Sequence, residues 1–188
     1  MKWFARGGGV IFNVHGGKTS FRHRRRDCDD CIAKDKEFVI MADIGTFLPD
    51  EAFLLDVHAD DWKDAIRLAG QGLVNAGFTT DAYTDEMIAT VEKMGPYIVI
   101  APGLALAHSR PSDAVKSTGL SWVRLSDPVE FGNKANDPVS LVIGLAGRDE
   151  NEHITVMSAI AAALVKPEKR EQLANAKDAT EIRATLEG

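Results

Sequence analysis

The chain has 188 residues, 45% of them hydrophobic and 27% charged, with a formal net charge of −6. It is long enough to bury a sizeable core, and no apolar run approaches the roughly 20 residues that a membrane-spanning helix needs. Residues 1–40 hold nine Lys/Arg against five Asp/Glu and the remainder thirteen against twenty-three, and so acidic a body excludes nucleic acid as the main partner.

The first 40 residues have no sustained helical or strand period. "GGKTS" ends like a phosphate-binding loop, but the motif asks for glycine where Phe12 stands. His15, His23, Cys28 and Cys31 could supply four zinc ligands. Two aspartates between the cysteines and the adjoining "RHRRR" favour a solvated tail instead. Arg6, His15 and Lys18 interrupt any secretory apolar region, so a cytoplasmic protein is expected. We read residues 1–46 as an extension, disordered or upstream of a natural start at Met41, and 47–188 as the folded domain.

From there the pattern is regular. "FLLDVH" (53–58) predicts a strand. Asp60 or Asp61 caps a helix with Trp62, Ile66, Ala69 and Leu73 on one face, ended by Gly77. A second helix over 81–94 carries Tyr83, Met87, Ile88, Val91 and Met94 at helical spacing and stops at Gly95-Pro96. "YIVIA" (97–101) reads as a buried strand, followed by the loop "PGLALA" as a turn and docking surface. "LSWVRL" (120–125) reads as half-buried, and "VSLVIGLAG" (139–147) as the longest, central strand. Asp149 and Glu152 have capping-box spacing ahead of a helix with Ile154, Met157, Ile160 and Leu164 inward. Helices over 167–176 and 179–186 follow. Strands interleaved with helices predict an α/β three-layer sandwich, a mixed sheet of about five strands flanked by helices.

The body holds three histidines. His58 ends a strand and is assigned a structural role. His108 follows a strand, where ligands sit in open α/β sheets. His153 lies just inside a helix N-terminus, where free amides and the helix dipole favour an anion. One imidazole can take a phosphoryl group while the other hydrogen-bonds its oxygens. Metal ligation by the pair lacks a third ligand, since Asp149 and Glu152 are explained as caps.

"GPYIVIAPGLALAHSRP" resembles the signature around the phosphorylated histidine of the EIIA domain in the mannitol/fructose family of the bacterial phosphoenolpyruvate-dependent sugar phosphotransferase system. "WKDAIRLAGQGLVNAGF", "DPVEFG" and "DENEH" match as well, and the details are nearest the ascorbate-type branch. The resemblance implies that His108 accepts phosphate from phospho-HPr and passes it to a cysteine of EIIB, and through it to the membrane component EIIC. It makes His153 the phosphate-stabilising histidine and Arg110 an orienting cation, with no metal or cofactor. The family's proline before the histidine is Ala107 here, which loosens the loop and removes no reactive group. Two other readings remain: a regulatory module whose His108 phosphorylation controls a partner, and a binding module without phosphoryl chemistry.

Overall fold

Side chains alternate across a strand, so each strand residue joins one of two helical layers. In the computed structural model, which describes residues 44–187, a five-stranded sheet separates two such layers. The features singled out in residues 1–40 lie outside the described residues. A helical turn (Ile44–Phe47) and a 3-10 turn (Asp50–Ala52) lead into β1 (Phe53–Val57). Then come α1 (Trp62–Asn75), α2 (Asp81–Met94), β2 (Val99–Ala101), β3 (Leu104–His108), β4 (Gly119–Val129) and β5 (Val139–Ala146). Helices α3 (Glu150–Leu164), α4 (Pro167–Asn175) and α5 (Ala179–Glu187) complete the fold.

Strand order is β1-β4-β5-β3-β2, with β1–β4 and β3–β5 parallel and β2–β3 and β4–β5 antiparallel. Ala105, Ala107, Val142 and Ala146 point to the layer of α1 and α2, packing with Ile66, Leu73, Tyr83 and Met87. Leu104, Leu106, Ile143 and Leu145 point to the other side, with Val156, Ile160, Ile182 and Leu186 of α3 and α5. This is the expected three-layer mixed α/β sandwich. Among the described residues no helix is long and apolar enough to cross a membrane.

Local signals account for the helix ends. Asp61 caps α1, accepting from the amides of Lys63 at 2.8 Å and Asp64 at 2.9 Å. Asp149 caps α3 through the Glu152 amide at 2.9 Å. Only half of a capping box forms, because the Glu152 carboxylate accepts from the Thr118 hydroxyl instead of turning back.

Several strand readings need correction. "YIVIA" is not buried throughout: β2 keeps only Val99–Ala101, lies at the sheet edge, and leaves Ile100 43% exposed. "LALAH" is not a loop with an exposed docking patch. A tight turn at Pro102-Gly103, with Gly103 at φ +76°, folds the chain back into β3, where Leu104, Ala105, Leu106 and Ala107 are all buried. Ala107 therefore sits opposite Gly144 in the ladder and loosens no loop. β4, longer than β5 and covered on both faces, is buried from Gly119 to Val123 and not half-buried. Its Ser121 hydroxyl is satisfied by the Ala69 carbonyl at 2.6 Å. β5 is central as expected.

Candidate active site

β3 and β5 run parallel, so both end at the same edge of the sheet. His108, the last residue of β3, continues the row of Leu104 and Leu106 and emerges on the side covered by α3. α3 begins four residues after β5, and its first turn carries His153. The link is tight: a Cβ on Gly147 would stand 2.4 Å from the His153 Cβ, so only glycine lets the helix start this close to the strand end. The two imidazoles lie with ring centroids 5.4 Å apart and planes at 52°.

The His108 Nδ1 is 2.9 Å from the Leu106 carbonyl. A carbonyl only accepts, so Nδ1 carries the proton and Nε2 keeps a free lone pair. Tyr97 packs edge-on against the ring at 5.4 Å and 84°. Burial holds the His108 pKa below the ordinary 6.5, against the opposing effect of the Leu106 carbonyl. His153 is 8% exposed and its pKa is lowered too, first by burial and then by His108. Its Nδ1 is buried with no partner among the described residues. A buried N–H without an acceptor is less tolerable than a buried lone pair, so the His153 proton belongs on Nε2.

Both rings line an open pocket of about 490 Å³, together with Arg110, Glu150, Tyr97 and Thr90. Arg110 is exposed there. Met94 (64% exposed) and Ile154 (59%) also line it, against the inward position that spacing predicts for Ile154. In α3 Ile160 and Leu164 face inward as expected, but toward its start His153 and Val156 take the inward positions, leaving Ile154 exposed and Met157 half-buried. The apolar surface beside the histidines is thus Met94, Tyr97 and Ile154, not the strand Leu104–Leu106.

His58, at the opposite end of the sheet, is exposed beside Asp60 (3.1 Å) and Asp127 (3.5 Å) and is not part of this pocket. No cluster of three or more His, Cys, Asp or Glu able to hold a metal occurs among the described residues. Residues that sequence reasoning missed are Thr90 and Ser109, which line the pocket, and the buried Tyr83, which is hydrogen-bonded to Ser109. The seven-residue spacing of Tyr83 and Thr90 on one face of α2 was the available signal.

Residues 46–188 match the family described as phosphoenolpyruvate-dependent sugar phosphotransferase system, EIIA 2. The ascorbate-specific PTS system EIIA component of Escherichia coli K12 is 42% identical over 99 residues, 53% of this chain and 64% of that protein. The match thus spans less than two thirds of that relative's length. Among solved structures, a complex of mannitol enzyme IIA with phosphorylated enzyme IIB from Escherichia coli is similar at TM-score 0.64 and 30% identity, covering 72% of this chain and 94% of that one. The nitrogen regulatory protein IIA-Ntr from Neisseria meningitidis is similar at TM-score 0.66 and 30% identity, covering 76% and 98%. With its family match covering most of the chain and its sheet and helices shared with these structures, the chain belongs to the EIIA type-2 family of the sugar phosphotransferase system.

Proposed function

We propose that this chain is a cytoplasmic phosphoryl carrier, the EIIA component of a phosphoenolpyruvate-dependent phosphotransferase system, with residues 47–188 as the working domain. His108 Nε2 attacks the phosphorus of phospho-HPr in line. The new N–P bond forms as the donor's N–P bond breaks, and the electron pair returns to the donor ring. A cysteine thiolate of EIIB then attacks the same phosphorus, an S–P bond replaces the N–P bond, and EIIB passes the group to the carbohydrate entering through EIIC. The carbohydrate is ascorbate-like or a sugar alcohol, a reading supported by the ascorbate-specific relative.

The observation that carries this reading is the histidine pair. His108 is held in the tautomer that frees Nε2, 5.4 Å between centroids from a second imidazole with a proton on Nε2. His153 donates that proton to a phosphoryl oxygen, and Arg110 at the pocket wall adds positive charge. Positioning and charge stabilisation dominate phosphoryl transfer, and no metal or organic cofactor is required of this chain. The rim of Met94, Tyr97 and Ile154 gives both partners an apolar footing, as exposed apolar patches do. The mannitol IIA–IIB complex supports EIIB as the acceptor.

The test is incubation with phosphoenolpyruvate, enzyme I and HPr. The chain gains acid-labile phosphate, and His108→Ala gains none. Phosphate on the His108→Ala protein, or none on the parent, removes the relay. The resemblance to the nitrogen regulatory protein favours one second reading, a regulatory module with the same phosphorylated His108. Transfer from the phosphorylated chain to an EIIB cysteine separates the two, because a purely regulatory module makes no such transfer.

A further inference from the structure

β3 stops pairing with β5 at His108, which lies opposite Leu145. In the simplest parallel ladder the Ser109 amide and the Leu145 carbonyl would be candidates for the next bond. Here a side chain stands between them. The Tyr83 hydroxyl, from α2, accepts from the Ser109 amide at 3.1 Å and donates to the Leu145 carbonyl at 2.9 Å. It lies 3.1 Å from the Ser109 carbonyl as well.

A second hydroxyl of α2 holds the same residue. Thr90 spends its proton on the Glu86 carbonyl at 2.7 Å, so at 3.2 Å its oxygen receives the Ser109 hydroxyl. Alternation along β3 explains the geometry. His108 points to the α3 side, so Ser109 points to the α2 side and is buried there, 8% exposed. Tyr83 is completely buried, and burial pushes its hydroxyl pKa to about 12, so it stays protonated and remains a donor.

We propose that Tyr83 and Thr90 are positioning residues for the phosphoryl-accepting histidine: their hydroxyls clamp Ser109, and Tyr83 acts as the spacer that forks β3 away from β5 and so sets where the His108 ring stands. The inference deepens the carrier reading and rests on it for its consequence in transfer, though not for the geometry. Removing the Tyr83 oxygen leaves the Ser109 amide and the Leu145 carbonyl without a partner, a state buried groups avoid. They regain one by bonding directly, which draws the strands together by at most about 3 Å, the length of one hydrogen bond. Ser109 moves with the closure and takes the neighbouring His108 with it. The apolar contacts of the Tyr83 ring survive in phenylalanine, so the fold survives with them.

The experiment uses the full chain as parent, Tyr83→Phe and Ser109→Ala, with histidine side chains labelled with nitrogen-15. The spectrum of the parent reports His108 protonated on Nδ1. In Tyr83→Phe that signal shifts or broadens, the midpoint of the His108 titration moves, and single-turnover phosphorylation by phospho-HPr slows by about 10- to 100-fold, the scale of a roughly 1 Å misplacement. Far-ultraviolet circular dichroism stays that of the parent. Ser109→Ala, which keeps the amide and loses only the bond to Thr90, changes the same readouts by less. Unchanged nitrogen signals and titration in Tyr83→Phe overturn the proposal, as does a rate loss that merely follows the unfolded fraction. If Tyr83→Phe fails to fold, Ser109→Ala decides: a shifted His108 titration supports the clamp and an unshifted one refutes it. A parent that takes no phosphate refutes the carrier reading, while the nitrogen spectra still judge the clamp.

Discussion

Gly147→Ala tests how closely the start of α3 must approach the end of β5. The added Cβ would lie 2.4 Å from the His153 Cβ, 2.5 Å from its Cα and 2.8 Å from its amide nitrogen. Carbon atoms settle at about 3.5–4.0 Å, so the first turn of α3 has to retreat by about 1 Å or more. Two of the three obstructing atoms are backbone, and no flexible side-chain end can yield in their place. Overpacking of this kind costs about 1–3 kcal/mol. The loss of chain freedom in the unfolded state on replacing glycine returns about 0.4–1 kcal/mol. The central values leave a net loss of about 1.3 kcal/mol, which lowers the melting temperature by about 3–5 °C in a domain of this size.

Function should suffer more than stability. His153 rides on the turn that retreats, and a misplacement of about 1 Å costs about 100-fold in rate. The assay pairs a thermal melt with single-turnover phosphorylation by phospho-HPr, both below the melting transition. A variant melting within about 1 °C of the parent, where the clash predicts at least about 3 °C, would refute the packing argument. A transfer rate within about twofold of the parent would refute the role assigned to His153, because positioning of that kind is worth far more.

Two further predictions concern the same pocket. Because burial holds His108 and His153 below 6.5, the unfolded chain binds protons that the folded chain refuses, and stability rises with pH. This contribution is complete above 6.5 and is lost as pH falls from 6.5 toward the folded values. His58, raised by Asp60 and Asp127, acts in the opposite sense in parent and variant alike. Urea midpoints at about pH 7.5 and 5.5, on either side of a free imidazole, therefore fall less in His153→Gln than in the parent; an equal fall removes His153 from the account. Replacing the exposed Ile154 or Met94 by Asp leaves stability within about 0.5 kcal/mol and slows transfer at subsaturating partner by about tenfold, or 1.4 kcal/mol. Unchanged transfer in both variants would take the apolar rim out of the partner interface.

Most helices were legible because their signals are local. Asp61, Gly77 and Gly95 mark ends where the backbone needs a cap or a positive φ, and α1 repeats its apolar residues at one spacing. The strands were less legible. β3 alternates leucine with alanine, both apolar, and with helices on each face no polar residue marks a solvent side. The Pro102-Gly103 turn before it was the available sign of a hairpin. The exposed positions of Met94 and Ile154 escaped for a related reason: an apolar residue beside an active site and one in a core look alike in a linear pattern.

The α/β class, most helix boundaries, the family signature and the candidacy of the two histidines were all readable from short stretches of chain, because each rests on residues close together in sequence. The packing of distant segments set β3 parallel to β5, which delivers His108 and the start of α3 to one edge of the sheet. It also decided which His108 nitrogen is free, through a carbonyl two residues back, and which residue forks the strand, through a tyrosine 25 positions away. A hydrogen bond is made between atoms that meet in space, and "GPYIVIAPGLALAHSRP" contains neither Tyr83 nor Leu145.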